Sequence, residues 1–263
     1  MPLKLAANLS FLYQELSFLD RFAAAADDGF TGVECLFPYA FDPEDIRRAL
    51  DRQGLTQVLF NFWPGDLAKG ERGYASLARH QREFRASLEQ GFLYAAALDC
   101  DSLHLMAGLR DPAQPYEAQY ATYRENLAFA ARVGETKGIR ILIEPINPID
   151  MPGYFLNDFD MAATLIREID HPNLGLQFDF YHAQRLTGDL VHQYRKLAPL
   201  VSHIQIANPP DRHEPGNGEI NYPYIFGILE QAGYSGWIGC EYKPSRGTRE
   251  TLGWARPYLS REI

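Results

Sequence analysis

Residues 140–147 read Arg140-Ile141-Leu142-Ile143-Glu144-Pro145-Ile146-Asn147. An apolar run without polar alternation suits a parallel strand covered on both faces. This run meets a carboxylate at its far end and then a proline. His203-Ile204-Gln205-Ile206-Ala207 has the same character. Working outward, β-rich runs fall at residues 3–9, 32–37, 56–62, 102–106, 140–146, 174–180, 201–207 and 237–242. Stretches with helical spacing follow them at 18–28, 43–53, 79–98, 116–137, 158–169, 190–197 and 222–231, with a last one near 249–259. Glycines at 29, 54, 138 and 233 stand just past helical stretches, where a left-handed cap residue belongs. Eight β-then-α units in one series predict an α/β protein, a single (β/α)8 TIM barrel over residues 1–263. The length suits it, since such barrels run to about 250 residues. A doubly wound open sheet announces itself with a Gly-rich phosphate loop after the first strand. Here the first run ends in Asn8-Leu9-Ser10.

Composition narrows the class of partner. The chain is 46% hydrophobic and 22% charged, with a formal net charge of -9. An acidic chain with no Lys/Arg cluster repels a polyphosphate, so nucleic acid is excluded as a partner. A small anion is also repelled at long range, so any anion site must use specific local cations. Three cysteines, Cys35, Cys100 and Cys240, show no CxxC spacing and sit in or beside apolar runs. They read as buried thiols rather than a disulfide framework or a zinc knuckle. No run approaches the 18 or so apolar residues of a membrane span. Residues 1–10 lack a basic segment followed by an apolar one. The expectation is a cytoplasmic protein with no membrane partner.

In such barrels active sites lie at the C-terminal ends of the strands. Four consecutive strands offer Glu144, Asp179, Gln205 and Glu241 at comparable depth. Burying three carboxylates together without compensation is very costly. One shared divalent cation resolves the cost, and oxygen ligands without cysteine favour Mg²⁺ or Mn²⁺. Any one of the four, taken alone, reads equally as a helix N-cap or an ion-pair partner. Their coincidence on successive strands is what points to a site. His203 shares a strand face with Gln205 and reads either as a support for it or as a core histidine. His104 is similar.

On these residues the chain resembles the hydroxypyruvate isomerase family, within the wider group of xylose-isomerase-like barrels that also holds the 2-oxo-tetronate isomerases. The resemblance covers almost the whole chain. It is carried by Asn8-Leu9-Ser10, PGDLAKGERG at 64–73, IEPIN at 143–147, DRHEPGNGEINYP at 211–223 and GWIGCEYKP at 236–244. It implies one metal ion held by Glu144, Asp179, Gln205 and Glu241, with the two glutamates as proton donor and acceptor. Related sugar epimerases carry a histidine at the position of Gln205, so this chain follows the isomerase branch there. His182 and Arg212 resemble substrate-binding positions of those epimerases.

The implied chemistry moves a proton between adjacent carbons of an α-hydroxy carbonyl compound through an enediolate. A cation stabilises the developing charge, and a carboxylate on each face takes and returns the proton. For a substrate carboxylate the best local cations are Arg212, Lys243 and His182, arginine being suited to a bidentate grip. The loop at 64–73, with Gly65, Gly70 and Gly73, reads as a lid whose Glu71 and Arg72 either contact substrate or pair with each other. The leading expectation is isomerisation of hydroxypyruvate, a small anionic hydroxy-oxo acid, to 2-hydroxy-3-oxopropanoate. EPINPIDMPGY at 144–154 favours it; HLMAG at 104–108 and DRHEP at 211–215 favour a four-carbon 2-oxo-tetronate. A ketose 3-epimerase is weaker, because of Gln205. An apurinic endonuclease on this barrel needs several zinc ions, a His-rich site and a basic DNA face. A non-catalytic sugar-binding barrel has no reason to gather four metal ligands. The resemblance leaves homo-oligomerisation open.

Overall fold

The computed structural model describes residues 3–259. Eight parallel strands, β1 (Lys4–Asn8), β2 (Gly32–Glu34), β3 (Thr56–Asn61), β4 (Ser102–His104), β5 (Arg140–Ile143), β6 (Leu174–Asp179), β7 (Val201–Ile206) and β8 (Trp237–Cys240), pair in chain order. Pairing of β8 with β1 closes the barrel. The outer helices are α1 (Asp20–Asp27), α2 (Pro43–Gln53), α3 (Gln81–Leu98), α4 (Tyr116–Glu135), α5 (Phe159–Ile169), α6 (Phe180–Leu186), α7 (Leu190–Leu197), α8 (Tyr222–Gln231) and α9 (Thr248–Thr251). The predicted architecture is therefore the one that forms. Gly29, Gly54, Gly138 and Gly233 all adopt positive φ, as their cap positions require.

The differences lie at the C-terminal strand ends. Several ladders stop early, β2 at Glu34, β4 at His104 and β5 at Ile143, so polar residues stand at or just past the last pairing. Pro145 has no N–H to continue β5. The run at 174–180 breaks at Asp179, and Phe180 opens the extra helix α6. Phe180-Tyr181 favours a strand by composition, but the Asp179 carboxylate accepts from Tyr181 N at 2.7 Å and caps a helix instead. The stretch at 249–259 breaks into α9 and two 3-10 turns, Leu252–Trp254 and Arg256–Tyr258.

The large apolar core lies between strands and helices. Inside the barrel, Ala6, Val58, Leu59 and Leu142 form a small apolar plug with Trp237 packed against it. The Lys4 ammonium sits 4.8 Å from the Trp237 ring. Toward the C-terminal mouth the interior is polar. Cys35, Cys100 and Cys240 are free and buried. No described helix is long and apolar enough to cross a membrane.

Helix α3 packs closely because Gly91 makes room for Phe62. A Cβ there would fall well inside contact distance of the ring. Gly91→Val is expected to cost about 1–3 kcal/mol through overpacking. For a chain of this size that lowers Tm by roughly 2–4 °C per kcal/mol in a thermal melt. An unchanged Tm would mean that α3 slides freely over β3.

Candidate active site

The cavity at the C-terminal mouth has a volume of about 260 Å³. Glu144, His182, Arg212 and Glu241 are among its polar lining, and Phe11 and Met106 contribute to the apolar one. Glu144 and Glu241 each stand one residue past their strands, β5 and β8. Asp179 ends β6 and is the register partner of Gln205 on β7. All four residues expected around a metal are buried.

They form two adjacent groups rather than one ring. In the first, Glu144, Asp179 and His182 each offer an atom within 4.8 Å of the others. His182 Nε2 lies 3.8 Å from Glu144 Oε1 and 3.6 Å from Asp179 Oδ2. Both of those oxygens are buried and accept no hydrogen bond among the described residues. In the second, Glu241 Oε2 accepts from Asn8 Nδ2 at 3.0 Å and Gln205 Nε2 at 2.7 Å. Glu241 Oε1 pairs with Arg212 Nη2. Gln205 Oε1 accepts from Gln177 Nε2 at 2.6 Å.

Charge in this space is poorly compensated. Burial, then the neighbouring Glu241 and Asp179, raises Glu144 well above the usual carboxylate range. Burial pushes Asp179 up to about 6, although Arg212 and the backbone N–H groups of Tyr181 and His182 favour its charged form. Burial pushes Glu241 up to about 8, opposed by Arg212 and reinforced by Glu34. Two unpartnered carboxylate oxygens side by side, both raised, suit a hard divalent cation. The residues present therefore fit such an ion.

His182 is less suited to ligation than its position suggests. Asn147 Oδ1 accepts from the backbone N–H groups of Ile149 and Asp150, each at 3.0 Å. The NH₂ end of Asn147 therefore meets His182 Nδ1, at 2.7 Å. Nδ1 must accept, so the proton of the neutral ring sits on Nε2. Burial, and then Arg212, keeps His182 neutral by lowering its pKa well below the usual value. An N–H thus points between Glu144 and Asp179, a hydrogen-bond donor rather than a lone pair.

Arg212 is the cation at the centre. Its guanidinium lies 4.9 Å from the rings of both Phe11 and Tyr181 and 3.4 Å from Asp150 Oδ2. Its φ of 61° is a left-handed conformation that a non-glycine residue adopts only under constraint. The constraint is its loop. Asn208 and His213 exchange backbone hydrogen bonds at 2.8 and 3.0 Å, and Lys243 N donates to Arg212 O at 2.7 Å. Glu214 accepts from Ser245 N and Oγ, which ties the loop to the segment after β8.

The other expected contacts separate. Lys243 is exposed and lines an outer recess with Phe11, Asp150 and Tyr181. Arg72 borders the central cavity and donates to Leu67 O and Glu71 O. Glu71 accepts from Asp66 N at 2.6 Å and the Tyr74 hydroxyl at 2.7 Å, which lowers its pKa. Its carboxylate braces its own loop, is not among the residues lining the central cavity and makes no ion pair with Arg72 among the described residues. His104 borders the cavity 3.7 Å from Glu144 Oε2, and burial brings its pKa down to about 3. Glu34 and Gln177 carry no sequence-based expectation, and Asn8 enters the sequence reading only within Asn8-Leu9-Ser10, with no site role. Glu34 ends β2 and obeys the same strand-end logic as Asp179, but the longer run expected there hid it.

Comparisons with known proteins agree with this fold. The chain is 51% identical over 262 residues to the 2-oxo-tetronate isomerase of Cupriavidus necator, covering 99% of this chain and 100% of that one. It is 42% identical to the hydroxypyruvate isomerase of Escherichia coli, covering 97% and 99%. A crystal structure from Brucella melitensis described as an AP endonuclease, family 2, superposes with a TM-score of 0.96 at 47% identity, covering 99% and 100%. The family profile described as xylose isomerase-like TIM barrel matches residues 22–258, and the chain belongs to that family.

Proposed function

We propose that the chain is a divalent-metal-dependent isomerase of small hydroxy-oxo acids, converting hydroxypyruvate to 2-hydroxy-3-oxopropanoate in the cytoplasm. The observation that carries it is the pair of unpartnered, buried oxygens, Glu144 Oε1 and Asp179 Oδ2, beside a cavity that also holds Glu241 and Arg212. Glu144, Asp179, Gln205 and Glu241 are the proposed holders of the ion, Mg²⁺ or Mn²⁺. Bound there, the ion supplies positive charge that stabilises an enediolate.

The chain's own groups do the rest. Glu144 and Glu241 stand three strands apart around the barrel, so a substrate between them meets a carboxylate on each side. One removes the proton from the hydroxyl-bearing carbon and the other returns a proton to its neighbour. The His182 Nε2–H donates to a substrate oxygen without releasing its proton, because the ring stays neutral. Arg212 holds the substrate carboxylate, with Lys243 and Arg72 at the mouth as further cations. Phe11 and Met106 keep water from the reacting carbons. Free, buried thiols suit a reducing compartment.

A second reading is a 2-oxo-tetronate as substrate, favoured by the relative from Cupriavidus necator. The reactive groups are shared, and the substrates differ by one carbon. The endonuclease description of the Brucella melitensis structure suits this chain less well, since a net charge of -9 repels a DNA backbone.

An assay with hydroxypyruvate and both 2-oxo-tetronate enantiomers, in Mg²⁺, Mn²⁺ and EDTA, decides among these. Isomerisation of at least one, lost in EDTA and restored by metal, is the expected result; turnover of none would sink the substrate class. Glu144→Gln and Glu241→Gln are each expected to abolish turnover while the protein remains folded. Near-normal kcat in either removes that residue from the proton transfer.

Protonation gives a further check. In metal-free protein Asp179 at about 6 and Glu241 at about 8 lie above their usual unfolded values. The folded state then binds more protons, so their contribution to stability is fully present at low pH and lost as pH rises through these values. A cation must displace those protons, so its stabilisation grows over the same interval. The Mn²⁺-induced rise in Tm is expected to be larger at pH 8 than at pH 5. A rise that is flat or falls with pH counts against these carboxylates as ligands.

A further inference from the structure

Glu34 is a buried carboxylate that the proposed reaction does not use. Its Oε1 accepts from Asn8 Nδ2 at 2.9 Å and Gln205 Nε2 at 2.7 Å. The same two nitrogens donate to Glu241 Oε2, at 3.0 and 2.7 Å. Each amide nitrogen carries two hydrogens, and one goes to each carboxylate. Glu34 Oε2 meets His203 Nε2 at 2.8 Å. Space for this carboxylate comes from Gly239 on β8, where a Cβ would fall inside contact distance of both Glu34 oxygens.

A carboxylate ion only accepts hydrogen bonds. Glu34 therefore admits the NH₂ end of each amide and refuses the oxygen end. Two consequences follow. Glu241 Oε2 receives two donors from below, which leaves Oε1 turned to Arg212 and the cavity. Gln205 Oε1 turns toward β6, where it accepts from Gln177 and keeps a second lone pair.

We infer that Glu34 is a positioning residue that acts through Asn8 and Gln205 to aim the Glu241 carboxylate and the Gln205 amide oxygen at the reaction centre. The inference rests on the proposed roles of Glu241 as proton carrier and Gln205 as ligand. Ser10 N also holds Asn8 by donating to its Oδ1 at 3.0 Å, and Glu241 Oε2 accepts from both amides. Glu34 supplies the second acceptor that each NH₂ group needs, and for Gln205 the remaining neighbour, Gln177, can meet either end of the amide. A reversed Gln205 puts its oxygen against Glu241 Oε2 and its N–H toward the proposed ion.

The test uses Glu34→Met, which keeps volume but removes both acceptors, and Glu34→Gln, which keeps one acceptor oxygen. Three quantities are measured: kcat and KM on the substrate that wild type turns over, Mn²⁺ affinity of metal-stripped protein by calorimetry, and Tm. Glu34→Met is expected to lose about 10- to 100-fold in kcat and in Mn²⁺ affinity, the usual range for groups that orient metal ligands, with KM little changed. Glu34→Gln recovers most of both. In a Gln205→Leu background, Glu34→Met costs less Mn²⁺ affinity than it does in the wild-type background, because one of the two amides through which Glu34 acts is already gone. Gly239→Ala, which displaces the carboxylate, reproduces the pattern if Glu34→Met fails to fold. A lower Tm with kcat and Mn²⁺ affinity intact, or losses that multiply in the double variant, overturns the inference alone. Wild-type protein that binds no Mn²⁺ and isomerises none of the substrates overturns the proposed function, and the inference with it.

Discussion

Negative charge buried at the barrel mouth is the constraint around which this molecule is arranged. Glu34, Glu144, Asp179 and Glu241 are all at most 6% exposed. Isolated ionised carboxylates in such a place cost several kcal/mol each even after relaxation. Each local feature of the mouth offsets part of that cost. The extra helix α6 presents the N–H of Tyr181 to Asp179. Two amides bridge Glu34 to Glu241. Arg212 accepts a strained backbone conformation, with the Phe11 and Tyr181 rings each 4.9 Å away, to reach Glu241. Gly239 gives up a side chain so that Glu34 fits.

The sequence carried the scaffold well, because the scaffold depends on short-range patterns. Apolar runs such as residues 140–143 and glycines past helix ends locate strands and caps without reference to anything distant. Glu144, Asp179, Gln205 and Glu241 were legible for a related reason: each interrupts or ends an apolar run, and a barrel converts strand ends into one place. What stayed hidden depends on partners far apart in the chain. Gln205 meets Glu34 across 171 positions, and nothing local marks the pair. The division of these residues into two adjacent groups was likewise invisible. Asp179 reads from the sequence as either a cap or a site residue, and it caps α6 through Oδ1 while its Oδ2 faces His182.

Glu71 and His182 show how hydrogen-bond bookkeeping refines a residue's role. Both read from the sequence as polar groups available to a substrate. The Glu71 carboxylate is engaged by Asp66 N and Tyr74, so its loop is braced rather than loose. For His182 the decisive residue is Asn147, whose oxygen is committed to two backbone N–H groups and so dictates the imidazole tautomer. Proximity alone groups His182 with Glu144 and Asp179 as a trio of ligands; the position of one proton separates it from them.

Counting donors also explains why Arg212 does not by itself neutralise the mouth. Its Nε reaches Glu241 O at 3.3 Å, Nη1 reaches Asp150 at 3.4 Å, and Nη2 is spent on the Glu241 carboxylate. Asp179 Oδ2, at 3.9 Å from Nη2, is attracted but not hydrogen-bonded. The hydrogen bonds of the guanidinium are thus directed toward β8 and the β5–α5 loop, which leaves one N–H on each of Nη1 and Nη2. The β5 and β6 side keeps two carboxylate oxygens facing a histidine that burial holds neutral. A protein that needed only to pack this space would place an apolar side chain at Glu144, since well-packed apolar replacements of buried ionic groups are often neutral or stabilising. The imbalance is thus local and directional. It leaves the Glu144 and Asp179 side as the part of the mouth where negative charge is least compensated.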